Sequence, residues 1–142
     1  MRTHRFTAVH PDTGETLGFV KVQVYAKLKG MRMAAEAFNG SDTKRTLGVT
    51  QAYTNGDVIM RLARDYINLR SVTHECSHAA LCVVEHHRGG APIVSTWVDE
   101  TYCHVFDDIV TDIYAWLIEE FPEQAQRIDF TEKQYKEQEE KA

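Results

Sequence analysis

The sequence predicts an α+β fold in which a small, mainly antiparallel sheet of about four strands packs against two long helices. Two patterns carry this prediction. The first half of the chain alternates apolar and polar residues in short segments separated by glycine-containing turns. The second half repeats apolar residues every three or four positions over two longer segments. The length of 142 residues suits one domain, which we expect at residues 1–130, with a charged tail at 131–142.

Local signals define the first hairpin and the first helix. Residues 6–9 and 17–25 are strand candidates, and Pro-Asp-Thr-Gly at 11–14 supplies the turn that joins them. Apolar residues then follow helical spacing over residues 28–38, and an Asn-Gly pair ends this helix at Gly40. One helix is therefore expected between the first hairpin and the remaining strands.

A second hairpin is predicted at residues 46–53 and 58–63. Asn55 and Gly56 lie between the two segments, and this pair favours a type I′ turn. We expect the helices of the chain to cover one face of the resulting sheet.

The first long helix is predicted at residues 69–87. Asn68 or Ser71 is suited to cap its beginning, and Gly89 and Gly90 supply its end.

The second long helix is predicted at about residues 97–121. Thr96 begins a capping pattern before it, and Pro122 ends it. An apolar stripe runs along this helix and consists of Val98, Tyr102, Val105, Phe106, Ile109, Ile113, Trp116 and Leu117.

The first long helix carries a His-Glu-x-x-His motif formed by His74, Glu75 and His78. Residues four apart lie on the same face of a helix, so the two imidazoles can bind one metal ion. Glu75 follows the first histidine, where its carboxylate can flank the metal and act as a base. The motif predicts a zinc hydrolase. The alternative is a pair of buried core histidines satisfied by other protein groups, because the helix that follows is apolar.

A catalytic zinc ion usually takes three protein ligands, and the third must come from another element. Glu100, at the start of the second long helix, is our first candidate because it begins a polar stripe away from the apolar one. His104 is the second candidate. Further alternatives are Asp99, His86 and His87. Cys76 lies inside the motif but points away from its histidine face, so we do not make it a ligand.

These residues resemble the gluzincin class of zinc metallopeptidases, in particular minimal-sized members such as the ImmA/IrrE-type proteins. The resemblance rests on His74, Glu75 and His78 followed by the helix-borne Glu100, and it covers about residues 69–118. It implies that the two histidines and Glu100 are metal ligands and that Glu75 is the general base.

The resemblance also implies a strand beside the active helix whose edge pairs with an extended peptide, and residues 58–63 are the candidate. In the thermolysin-like branch an aspartate follows the ligand glutamate by four positions and orients a ligand histidine. Here His104 occupies that position, so Asp107 or Asp108 is the candidate for this role.

The predicted reaction is cleavage of a peptide bond in a protein or peptide substrate, with Zn²⁺ as cofactor and Glu75 as general base. The donor that stabilises the oxyanion stays open among His104, Tyr102 and Tyr53.

Two other functions are compatible with the motif. A SprT-like, DNA-linked protease has a similar active helix, but that family needs a third histidine in a His-Gly pair, which this sequence lacks. The second alternative is a non-catalytic structural or assembly protein with a zinc site. Glu75 argues against it, because a purely structural site does not need a base.

Charge and cysteine content limit the partners and the compartment. The net charge is −5, with a local excess of +5 in residues 1–70 and a value of −8 in residues 89–126. One explanation is a basic sheet that packs near an acidic helix. The other is an acidic surface near the site, which would disfavour nucleic acid as a partner. Cys76, Cys82 and Cys103 are an odd number without a Cys-x-x-Cys pair and predict reduced thiols in a cytoplasmic protein.

The sequence contains no run of 18 apolar residues and no apolar signal region near residue 1, so we expect no membrane partner. The oligomeric state and the natural substrate stay open.

Overall fold

A computed structural model describes residues 1–95 and 99–128. Its strands are β1 (Arg2–Val9), β2 (Thr16–Tyr25), β3 (Gly48–Ala52) and β4 (Val58–Ala63). In the described part of the chain they form one mixed sheet in the order β1-β2-β4-β3. β1 pairs with β2 and β3 with β4 in antiparallel fashion, whereas β2 and β4 are parallel. The predicted α+β class and the four strands are confirmed.

The position of β4 in the sheet differs from the prediction. Residues 58–63 were expected to form the edge strand, but β4 lies between β2 and β3, and the edge beside the active helix is β3. All six residues of β4 are buried, which is typical of a strand covered on both faces.

Within the described ranges, three longer helices accompany the sheet: α1 (Leu28–Asn39), α2 (Leu69–His87) and α3 (Glu100–Glu120). A short 3₁₀ turn at Arg64–Tyr66 precedes α2, and a single turn, α4 (Pro122–Ala125), follows α3. The expectation that the helices cover one face is wrong. α1 packs on the face opposite α2 and α3, because the parallel β2 and β4 need a crossover connection, and α1 forms part of it.

The main core lies between the sheet and the α2–α3 pair. Side chains at alternate positions of β2 and β4 point into it, and the buried face of each helix meets them. Its largest fully buried members include Met60, Leu62, Ile67, Ile109, Ile113 and Leu117. A smaller core of Leu28, Met31, Ala63 and Tyr66 fixes α1 to the other face. The core thus holds α2 and α3 side by side and positions the histidine motif.

The ends of α2 follow the predicted signals. The Asn68 side chain accepts a hydrogen bond from the Ser71 backbone N–H, so Asn68 is the cap. After the helix, Gly89 and Gly90 have φ of 70° and 87°, which glycine adopts readily.

Asp99 caps the start of α3, where its side chain accepts a hydrogen bond from the Tyr102 backbone N–H.

The β3–β4 turn has a different type from the prediction. A type I′ turn needs positive φ at both central residues, but in the described residues only glycines have positive φ. The Gly56 N–H donates to the Tyr53 carbonyl and Gly56 has φ of 90°, which is the pattern of a type I turn followed by a glycine bulge.

The predicted cap Thr96 and the charged tail at 131–142 lie outside the described residues. Within the described ranges, no helix combines the length and the apolar character that crossing a lipid bilayer requires.

Candidate metal and catalytic site

His74 and His78 lie one turn apart on α2 with their rings turned towards each other. The two Nε2 atoms are 3.1 Å apart, and the ring planes are nearly perpendicular. Both residues are exposed, so the alternative of satisfied core histidines is wrong. The apolar face of α2 packs against the sheet and α3, and the histidine pair lies on the solvent side of the helix.

The spacing of the two nitrogens suits a shared metal ion. Two imidazole nitrogens bound to tetrahedral zinc at about 2.0–2.1 Å would lie about 3.3 Å apart. The observed 3.1 Å between the Nε2 atoms of His74 and His78 is close to this value.

Glu75 occupies a buried position between α2 and the edge strand β3, with 6% of its surface exposed. Its carboxylate Oε1 accepts a hydrogen bond of 2.9 Å from the Thr50 hydroxyl of β3. The same hydroxyl lies 3.2 Å from the Glu75 carbonyl oxygen. Gly48 passes close to this side chain, since a Cβ added there would lie 3.4 Å from Glu75 Cγ. In the described residues Glu75 makes no ion pair, so its carboxylate is held in place without being neutralised.

Burial raises the pKa of the Glu75 carboxyl above its ordinary value. The hydrogen bond from Thr50 and the neighbouring His74 and His78 act in the opposite direction but do not cancel the effect of burial. A carboxylate with a raised pKa is a stronger base, which suits a group that must accept a proton near neutral pH.

The raised pKa predicts a pH-dependent gain in stability for Glu75→Gln. The folded state holds the Glu75 proton more tightly than the unfolded chain, so the ionised carboxylate disfavours folding at neutral pH. Glutamine removes this cost, and the gain should shrink as pH falls towards about 4.5 and vanish below it, where the carboxyl is protonated in both states. Urea unfolding of both proteins between pH 4 and 7.5 measures the difference.

Asp12→Asn is the matched control, because Asp12 is an exposed turn residue. It should show no comparable gain at neutral pH. A Glu75→Gln protein that is less stable than the wild type at pH 7.5 would contradict the proposed burial effect.

Glu100 and His104 are not assembled with the histidine pair. The Glu100 side chain is 82% exposed, and its carboxylate lies 3.7 Å from His104 Nε2 one turn along α3. Across residues 1–95 and 99–128, no group of three or more His, Cys, Asp or Glu side chains is arranged to hold a metal ion. The structure brings together two of the three predicted ligands.

The remaining ligand alternatives have other partners. Asp99 forms an ion pair with Arg88, which, with the Tyr102 N–H, lowers the pKa of its carboxyl. The His86 ring covers Gly56, where an added Cβ would clash with it at 2.2 Å. His87 is 3.9 Å from the Glu15 carboxylate.

Cys76 lies on a different face of α2 from the exposed histidine pair. It is fully buried in the main core, and burial raises the pKa of its thiol to about 12, so the thiol stays protonated at neutral pH. Asp107 and Asp108 are exposed on α3.

Tyr102 is the oxyanion candidate that contacts the active helix. Its hydroxyl lies 2.6 Å from the hydroxyl of Ser77, the residue before His78, and its ring is largely buried. Tyr53 instead packs edge-on against Phe38 on the α1 side of the molecule. His104 is exposed beside Glu100.

A groove runs along α2 beside the motif. It lies between the first turns of α2 and the segment that leads into β3, and it is lined by Arg45, Thr46, Leu47, Gly48, Arg70, Ser71, His74 and Glu75. Sequence reasoning missed this groove and the role of Thr50. The sequence offers no signal for this role, because only the packing of β3 against α2 shows that the Thr50 hydroxyl meets Glu75.

Comparisons with protein-family models, with curated proteins and with solved structures find no match for this chain. The function is therefore argued from the site itself.

Proposed function

We propose that this chain is a zinc-dependent hydrolase and that it cleaves peptide bonds. One observation carries the proposal: His74 and His78 present their Nε2 atoms 3.1 Å apart beside the buried, un-ion-paired Glu75. Two metal-binding nitrogens with an adjacent free carboxylate are the parts that a zinc hydrolase requires.

Glu75 has the role of general base in this proposal. Bound zinc would supply Lewis acidity, which lowers the pKa of a water molecule and polarises a substrate carbonyl. Glu75 accepts the proton of the attacking water and passes it to the nitrogen of the leaving amine. Thr50 fixes the carboxylate by donating to Oε1, which leaves Oε2 for the proton transfer.

The edge strand β3 supports a peptide as the substrate. In the part of the chain that the structure describes, β3 pairs with β4 along one side only, so its other side offers backbone N–H and C=O groups to an extended chain. The groove that contains His74 and Glu75 begins at this edge. A peptide added as a further strand would therefore pass next to the catalytic carboxylate.

Glu100 is proposed as the third ligand, because the resemblance to gluzincins places a helix-borne glutamate there. α3 packs directly on α2, and among the described residues the exposed carboxylate of Glu100 pairs only with His104. We expect Glu100→Gln to weaken zinc binding by at least tenfold in a competitive chelator titration, whereas His104→Gln should leave it nearly unchanged. The reverse result would make His104 the third ligand.

Tyr102 is proposed as the oxyanion donor. We expect Tyr102→Phe to lower kcat by roughly 10²-fold with a small change in KM, the typical effect of removing one such donor. Steady-state kinetics on a fluorogenic peptide measure both constants. Tyr53→Phe is the matched control and should retain full kcat, because Tyr53 lies against Phe38 on the α1 side. Full kcat in the Tyr102 variant would remove this role.

Digestion of a peptide library by the purified chain tests the function. Cleavage should require zinc, stop on chelation and return when zinc is restored. Zinc binding without any cleavage would favour the structural alternative. Cleavage that depends on added DNA would favour the SprT-like protease.

A further inference from the structure

We propose that the sheet face opposite α2 binds a phosphate group at a site centred on Arg61. Arg61 lies on β4 with 7% of its surface exposed. Its Nε donates to Gln51 Oε1 at 2.8 Å, and its Nη1 donates to Gln23 Oε1 at 3.1 Å and to the Tyr25 hydroxyl at 2.7 Å. All three acceptors are uncharged. In the described part of the chain, Nη2 donates to no protein group and no carboxylate pairs with the guanidinium.

A buried guanidinium in this state lacks a counter-charge. Arginine is rarely buried unless it is paired, because removing its charge from water is costly. The Phe38 ring, 5.5 Å from the guanidinium carbon, offers a cation–π contact that compensates part of this cost. The neutral acceptors satisfy hydrogen bonds at Nε and Nη1, whereas the positive charge and the two N–H groups of Nη2 are left for a bound anion.

Two further cations lie on the same face of the sheet. Arg5 of β1 is directly opposite Lys21 of β2, and Lys21 is paired with Ile59, two residues before Arg61. Like charges directly opposite each other in a sheet are destabilising. None of the four strands contains an Asp or Glu that could offset them. We call Arg5, Lys21 and Arg61 the cationic sheet face.

This face is open where β1 and β2 form it. α1 packs over the β4 and β3 half, while Thr3, Arg5 and Lys21 are exposed. This open half of the face is the side from which an anion would have to reach Arg61, which is itself buried. The arrangement suits phosphate better than a carboxylate, because a phosphate group carries about −1.5 to −2 charges at neutral pH and has three acceptor oxygens for a guanidinium and a nearby ammonium.

The test is a titration of the full chain with inorganic phosphate at ionic strength held constant with NaCl. The Arg61 Nε–Hε signal in ¹H–¹⁵N NMR should shift in a saturable manner. Arg61→Lys keeps the positive charge but loses the planar guanidinium group with its several N–H donors. This substitution should weaken phosphate binding at least tenfold. Lys21→Met should weaken it several-fold. Lys44→Met, which changes an exposed lysine in the α1–β3 loop, should have no effect.

Two further experiments test where phosphate binds and which kind of phosphate compound is the ligand. His74→Ala should bind phosphate as the wild type does, since the cationic sheet face is separate from the metal site. Phosphoserine and adenosine monophosphate identify the source: tighter binding than inorganic phosphate indicates a phosphomonoester ligand, and equal or weaker binding indicates free phosphate. Succinate should bind at least tenfold more weakly.

Three results would overturn the proposal: no saturable effect at constant ionic strength, wild-type affinity in both the Arg61 and Lys21 variants, or loss of binding in His74→Ala. If Arg61→Lys does not fold, the double variant Arg5→Met Lys21→Met decides the question, because both positions are exposed. Its affinity should fall at least tenfold, and an unchanged affinity would refute the site. Failure here leaves the peptidase proposal intact, since the phosphate assay does not involve peptide cleavage.

Discussion

Glu75→Gln should lower zinc-dependent peptide cleavage by roughly 10²–10⁴-fold while the zinc content stays at the wild-type level. Glutamine is close in size to glutamate and keeps the Oε1 that accepts from Thr50, but it cannot accept a proton from water. The measurement is kcat on a peptide identified from the library, with zinc determined in the same preparations by mass spectrometry.

Asp12→Asn makes the same chemical change at an exposed turn residue and serves as the control for this loss. It should retain the wild-type rate. Cleavage at full rate by the Glu75 variant would remove Glu75 from the mechanism. Loss of zinc together with activity would show that Glu75 acts as a ligand and not as a base.

His74→Ala should abolish tight zinc binding, with an affinity loss of at least 10²-fold. The variant keeps one imidazole of the pair on an exposed helix face, and one histidine with Glu100 supplies too few ligands to hold the ion as the full set does. His78→Ala should have the same effect for the same reason. Competition with a chromophoric chelator measures the dissociation constants of the wild type and the variants.

The control for the ligand variants is His87→Ala, because His87 is an exposed histidine at the other end of α2 near Glu15. It should bind zinc as the wild type does. Tight zinc binding retained in His74→Ala would show that the ion is held elsewhere.

Local sequence signals predicted the helices well. The cap at Asn68 and the glycines after α2 depend on backbone geometry that a few neighbouring residues determine. The i, i+4 spacing of His74 and His78 likewise predicts that they share one face of the helix, because helix geometry is local. These features need no knowledge of the tertiary fold.

The arrangement of the sheet could not be read from local signals. The parallel pairing of β2 with β4 joins segments separated by α1 and β3, and no local pattern specifies it. The sequence of β4 alone is compatible with either a central or an edge position in the sheet. The sequence pattern therefore predicts β4 as the edge strand and all helices on one face, whereas the edge strand is β3 and α1 lies on the opposite face.

The candidate site was predictable only in part. The motif predicts Glu75 as the general base. The burial of Glu75 and its hydrogen bond with Thr50 depend on the packing of β3 against α2. The described residues do not assemble a third ligand with the histidine pair, and Glu100 stays a prediction.

X-ray absorption spectroscopy of the zinc-loaded chain tests the central claim most directly. The account predicts one zinc ion per chain with imidazole scattering from two histidines at about 2.0–2.1 Å, and loss of one imidazole or of the metal itself in His78→Ala. A chain that binds no zinc, or a zinc spectrum unchanged by that substitution, would contradict it.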